Sequence, residues 1–422
     1  MSMCRTPAWS SGIRQEKTMV WAAKGKSPFY PGQPVPVEFF VGRTEQIAHI
    51  MQRGAGQVAA GKPVAMFVQG EYGIGKSSIA GFVQRLAERE YGLHAVYAPL
   101  GSANFLDDVG ASILESMLRS GAFDRSRSER IRNWLAKYVG QQELFGLTIH
   151  TEALRRDAPT VAKPSGVLAF LGEALRRLGE TGVRGLFLVL DEINGISAAP
   201  KFAHFIKENV DANAMAREPL PLLLMLCGVE ERRRDMIKSH QPIDRIFDVV
   251  EVERMTVPEM EGFFRKAFDS VQIAVEPEAM KLLTEYSAGF PKIMHIVGDA
   301  AFWLDQDGVI TEQEAWRAVP NAADEVGRKY VDQQVYSVLR SRDYRSILGT
   351  IARTGLDMGF RRADVARGLT DTEKRKFDNF LQKMKRLNVI RSGDLPGEYV
   401  FNVRMVRLYI WLDSLRKNHA AR

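Results

Sequence analysis

A chain of 422 residues with 45% apolar and 26% charged residues exceeds what one core supports, which excludes a wholly disordered protein and implies two or three domains. Only Cys4 and Cys227 are present, with no disulfide framework and no metal-ligand spacing, so a reducing, cytoplasmic setting is expected. The net charge of +7 is uneven: residues 331–422 hold 19 Lys and Arg against 10 Asp and Glu, an excess of +9, which leaves about −2 for the rest.

The first 30 residues carry scattered charges and no sustained apolar segment. They read as a disordered tail over 1–30 and not as a secretory signal, with Met19 as an alternative start. Pro28, Pro31, Pro34 and Pro36 then favour extended backbone. VGRTEQIAHIMQRGAGQVAAGK has a helical period, with Thr44 as its expected N-cap and a stop near Gly54–Gly61. From Val64 onward, short apolar strands alternate with helices: strands at 64–69, 94–100, 185–190, 220–227 and 247–253, with a charged helical stretch around 125–138 and a less regular segment after it. This pattern predicts an α/β fold, a parallel sheet covered by helices on both faces, over 31–253. The longest apolar runs, 186–190 and 220–229, fall far short of the ~20 residues that cross a membrane, and no membrane partner is expected.

Residues 254–330 turn all-helical and read as a lid, its last helix opened by the capping box Thr311 and Glu314. Residues 331–422 give three helices and a hairpin whose turn contains Leu395, Pro396 and Gly397, the order of a winged helix-turn-helix.

GEYGIGKS fits the pattern G-x-x-x-x-G-K-[ST], with Gly70, Gly73, Gly75, Lys76 and Ser77. Phosphate oxygens need converging backbone N–H groups, which a loop free of bulky side chains supplies, and the following helix adds its N-terminal partial charge. Glu71, Tyr72, Ile74 and Ser78 complete the cradle. Lys76 would neutralise the β- and γ-phosphates and Ser77 would ligate Mg²⁺. About a hundred residues on, the apolar strand of GLFLVLDEING ends in Asp191 and Glu192. Asp191 can hold Mg²⁺ through water, and Glu192 can polarise the water that attacks the γ-phosphate of ATP.

This combination resembles the AAA+ family of P-loop ATPases, in its origin-recognition or initiator-like branch and the neighbouring STAND-like archaeal-type branch. PFYPGQPVPVEFFVGRTEQI is similar to an entry motif that lies beside adenine in those proteins, here Phe40, Val41, Gly42, Arg43 and Glu45. The resemblance covers about residues 28–330, and the C-terminal winged helix extends it. It implies that Arg245 is an arginine finger reaching a neighbouring subunit's γ-phosphate, hence a homo-oligomer; a solvent-facing arginine is the alternative. It places Lys292 where the lid's second sensor, usually arginine, would meet nucleotide. Where the family has a polar residue that orients water, the position here falls near Cys227 and Gly228; Cys227 reads better as a small core residue, which implies slow hydrolysis or a polar role filled elsewhere.

In the C-terminal module Phe377, Phe380, Leu381, Met384 and Leu387 form a core stripe. Lys374, Arg375, Lys376, Lys383, Lys385 and Arg386 lie on the other faces, with Arg391, Arg404 and Arg407 in and after the wing. Such cations suit the phosphates of duplex DNA. The expected function is a nucleotide-dependent oligomeric switch or loader on DNA. The alternative is a STAND-like regulatory ATPase gating a protein partner.

Overall fold

The apolar runs take the places their pattern assigns, as buried strands in a parallel sheet. The computed structural model describes residues 24–31, 40–120, 164–337, 339–353, 357–387 and 389–420. Cys4, the tail over 1–23, residues 32–39 of the proline-rich run and the segment 121–163, including the expected helix around 125–138, lie outside the described residues.

A helix begins with α1 (Thr44–His49), widens into a π-helical stretch (Ile50–Ala55) and closes as α2 (Gly56–Ala59). Its N-cap is Arg43 and not Thr44; Arg43 sits at φ 63° with no side-chain cap, because a guanidinium has no acceptor to offer the free N–H groups of the first turn. Then follow β1 (Val64–Gly70), α3 (Lys76–Tyr91), β2 (Leu93–Pro99), α4 (Leu106–Arg119), α5 (Pro164–Gly179), β3 (Gly185–Asp191), α6 (Pro200–Ala214), β4 (Leu222–Gly228), α7 (Glu230–Ser239), a 3₁₀ turn (Gln241–Ile246) and β5 (Asp248–Val252). The strands run parallel in the order β2-β3-β4-β1-β5. Every residue of β3 and β4 is buried. Alternate side chains feed two cores: Phe67, Leu188 and Leu224 face α4, α5 and α6, whereas Met66, Val189 and Met225 face α3.

The second core continues into the lid, α8 (Val257–Asp269), α9 (Pro277–Ser287), α10 (Pro291–Leu304) and α11 (Glu312–Val326). Thr311 and Glu314 form the expected capping box on α11. Two short parallel strands, β6 (Ala274–Val275) and β7 (Val309–Ile310), interrupt what reads as an all-helical region.

The disordered-tail expectation for 1–30 fails over residues 24–30. Phe29 is 4% exposed and packs edge-on against Phe268 at 4.9 Å between ring centroids. Burying such a ring stabilises by roughly 1.5–3 kcal/mol. Gly298 of α10 makes the room, since a Cβ there would lie 2.3 Å from the Phe29 ring. Lys24 pairs with Asp305 at 2.9 Å and Ser27 donates to Asp299 at 2.6 Å, so the segment is strapped along the lid.

A π-helical stretch (Gly327–Tyr336) leads from the lid to α12 (Arg342–Arg353), β8 (Gly359–Arg361), α13 (Arg362–Arg367), α14 (Asp371–Arg386), β9 (Ile390–Ser392), β10 (Glu398–Phe401) and α15 (Arg404–Ala420). Strands pair antiparallel in the order β8-β10-β9, and helix, strand, two helices and hairpin is the element order of a winged helix. β8 and α15 go beyond the expected three helices and hairpin. Arg407 on α15 is 2% exposed, its guanidinium donating to the carbonyls of Asp357 and Ile351. It is therefore a core residue and not part of a basic surface. No helix of the described residues is long and apolar enough to cross a membrane.

Candidate functional site

Between β1 and α3 the chain turns through residues 71–75. A Cβ at Gly70 would lie 2.5 Å from the Val252 carbonyl oxygen on β5, and Gly73 and Gly75 take φ of 77° and 102°, where side chains are disfavoured. Glycine is thus required for the loop to enter the N-terminus of the 16-residue α3, whose free N–H groups and dipole attract an anion. Ile74 is buried and anchors the turn, and Ser77 and Ser78 lie in the first turn of α3.

Lys76 Nζ donates to the carbonyl oxygens of Gly70 at 3.0 Å and Glu71 at 2.8 Å. Burial lowers its pKa, while Asp191, Glu71 and Glu192 oppose the shift. Cys227 would join them only as a thiolate. Burial, and then the Asp191 charge, push that thiol well above its usual range, so it stays neutral. At the end of β4, fully buried and in register with Val68 of β1, Cys227 is a packing residue.

Asp191 closes β3 and is 2% exposed. Its Oδ2 accepts hydrogen bonds from Ser77 Oγ at 2.5 Å and from the Tyr97 hydroxyl, and its Oδ1 accepts from the Glu192 N–H at 2.7 Å. Burial, reinforced by Asp191, raises the Tyr97 pKa, so the phenol remains a donor. Glu192 is exposed and sits at φ 57°, a left-handed conformation that an L side chain rarely adopts. Gly101, just past β2, accommodates it, because a Cβ there would meet Glu192 Oε2 at 2.4 Å.

The entry segment packs on the same loop. Phe40 stacks on Phe82 of α3 at 4.6 Å, and Val41 lies beside Gly262 of α8. Gly42 leaves space for Glu259, which accepts the Arg43 N–H at 3.0 Å. The Arg43 guanidinium, 5% exposed, donates to the carbonyls of Glu253 and, at 3.2 Å, Ile74. Burial lowers its pKa against the pull of Glu259 and Glu253. Arg43 ties entry, loop and lid together through protein carbonyls; Glu45 is exposed on α1.

From the lid, Pro291 reaches over Gly75, and Lys292 Nζ stands 5.2 Å from the Tyr72 ring centroid. Tyr72, Phe290, Lys292, Val335, Leu387 and Val403 line a cleft that joins loop, lid and C-terminal module. At its edge Arg254 donates to Glu71 Oε1 at 3.0 Å and to the Asn402 carbonyl at 3.0 Å, and it lies 4.7 Å over the Phe290 ring. Arg245 is exposed on the 3₁₀ turn. Its neighbour Asp244 pairs with Arg233, which donates to Gln69 at 3.1 Å.

Residues 40–232 match a family model described as the AAA ATPase domain. Those residues are similar to an AAA ATPase domain and span somewhat under half of the chain. Including the lid and C-terminal module, the chain shares its fold with the Walker-type ATPase PABY2304 of Pyrococcus abyssi, at 16% identity over 88% of this chain and 96% of that one with a TM-score of 0.56. It shares it also with the ORC2 protein of Aeropyrum pernix in its ADPNP–ADP complexes, at 12% identity over 91% and 98% with a TM-score of 0.59. No curated protein matches the sequence.

ATP with Mg²⁺ is the ligand of an AAA domain, and the residues present fit it. Ser77 and Asp191 offer two oxygens side by side, which suits a cation that keeps several waters and takes phosphate oxygens as ligands. The structure thus brings together Lys76, Ser77, Asp191 and Glu192, draws Lys292 toward the loop through Tyr72, and leaves Arg245 exposed on its turn. Tyr97, Arg254 and Glu259 were not legible as site residues. The only signal for Tyr97 is the sheet order, which pairs it with Val189 and puts Pro99 opposite Asp191.

Proposed function

We propose that this protein binds and hydrolyses ATP and uses the nucleotide state as an oligomeric switch on duplex DNA. The observation that carries the proposal is the meeting of Lys76, Ser77, Asp191 and Glu192 at one loop. Lys76 would neutralise the phosphates, Ser77 and Asp191 would hold Mg²⁺, and Glu192, on its left-handed backbone, would polarise the attacking water. Arg245, exposed on its 3₁₀ turn, would serve the loop of a second copy. Lys292 would follow the nucleotide from the lid. We assign the ATPase core to 31–253, the lid to 254–330 and the winged-helix domain to 331–422.

The DNA reading rests on α14. Its apolar residues Phe377, Phe380, Leu381 and Met384 are buried, while Arg375, Asn379, Gln382 and Arg386 recur along one exposed face. Arg375, Arg386 and Arg391 have no acidic partner among the described residues. Lys374 and Lys376 pair with Asp371 and Asp343 on the surface, and such pairs are weak enough to exchange for phosphate. The cleft and the Arg254 junction favour a second reading, a STAND-like ATPase that gates a protein partner through the same module.

In Glu192→Gln, ATP binding is expected to persist with turnover lost; equal turnover would remove Glu192 from its role. Binding to duplex DNA in a salt titration separates the two readings. Affinity that falls steeply with salt supports the first, and no affinity at low salt supports the second.

A further inference from the structure

Asp191 is held by three donors, two of which belong to the nucleotide motif: Ser77 Oγ on Oδ2 and the Glu192 N–H on Oδ1. The third, the Tyr97 hydroxyl, comes from β2 and shares Oδ2 with Ser77. Parallel pairing of β2 with β3 sets Tyr97 opposite Val189 and Pro99 opposite Asp191, so strand alternation puts Tyr97 and Asp191 on one face of the sheet. Asp191 is 2% exposed, and these three hydrogen bonds engage both of its carboxylate oxygens.

We propose that Tyr97 is a positioning residue for the divalent cation: its hydroxyl locks the Asp191 carboxylate against Ser77, so that both oxygens face one point before nucleotide and metal arrive. This rests on the reading of Ser77 and Asp191 as the metal pair. A carboxylate free to rotate would have to be ordered by the metal itself, and loss of an outer hydrogen-bond partner of a metal ligand typically weakens metal affinity by ~10–100-fold. The phosphate contacts of the loop do not pass through Tyr97, so metal-free nucleotide binding should be spared.

The test uses the full chain with Mn²⁺ as probe, its binding read by electron paramagnetic resonance at saturating ADP, and fluorescent nucleotide binding measured separately in chelator. Tyr97→Phe keeps the ring and removes only the hydroxyl, and Asp191→Asn serves as reference. The expected result is a rise in the Mn²⁺ dissociation constant of about 10-fold in Tyr97→Phe, with metal-free nucleotide affinity unchanged. Wild-type Mn²⁺ affinity in Tyr97→Phe beside a weakened Asp191→Asn would overturn the role of Tyr97 alone. A parallel loss of metal-free nucleotide binding in Tyr97→Phe would reduce it to packing. Wild-type Mn²⁺ affinity in both variants would overturn the metal pair itself.

Discussion

The phosphate loop and α14 both present cations, yet they do so in opposite ways. Lys76 is one amine drawn out of water, held on two carbonyls and balanced by nearby acids. The cations of α14 are many, mostly exposed and partly matched by surface acids. A buried cation acts by position, so each atom matters; an exposed set acts by its sum, which salt screens.

The largest test of that contrast is Lys76→Ala, where turnover should fall by at least ~100-fold, the scale set by removing one well-placed charge stabiliser. If Lys76→Ala and Arg375→Ala changed turnover equally, the contrast would collapse. Arg407 sharpens it within one module. Replacing this buried arginine by methionine strips the Asp357 and Ile351 carbonyls of their donor and should cost roughly 2–3 kcal/mol in urea unfolding, with the salt dependence of DNA binding intact. His295 extends the comparison to pH. Burial holds its pKa down to about 4, from an ordinary 6.5, with Nδ1 accepting the Tyr30 N–H at 3.2 Å. The folded state keeps it neutral while the unfolded chain protonates it below 6.5. Stability should therefore be full above that value and fall with decreasing pH, by roughly 2 kcal/mol at about pH 5. His295→Gln should lose that part of the fall when unfolding is compared at the two pH values. The smallest effect belongs to Arg375→Ala: folding unchanged, affinity for duplex DNA down a few-fold, and the slope against log salt reduced by about 1.

What was legible in the sequence is what local backbone chemistry demands. Gly70, Gly73 and Gly75 announce the loop because only glycine fits its conformation or its approach to β5, and Asp191–Glu192 stands out because acids end an apolar strand. Arg254, Tyr97 and Glu259 were hidden, since each meets the site only through strand order or lid placement. The strap at Lys24–Tyr30 looked like a tail because nothing local shows that Gly298 leaves a slot for Phe29. α15 escaped notice for a different reason. Leu408, Tyr409 and Ile410 are buried in succession, so the helix, packed against both lid and module, lacks a one-faced period. Gly327 shows how close that packing is, with a Cβ there 2.2 Å from the Tyr409 ring.

Arg254 is one guanidinium serving three parts of the chain: the Glu71 carboxylate in the loop, the Phe290 ring in the lid and the Asn402 carbonyl beside the wing. A ligand that draws Glu71 away must alter the free energy of seating Asn402, and a ligand that pulls the wing away must alter the loop by the same amount. Binding at the loop and binding at the wing would then be linked in free energy through one side chain.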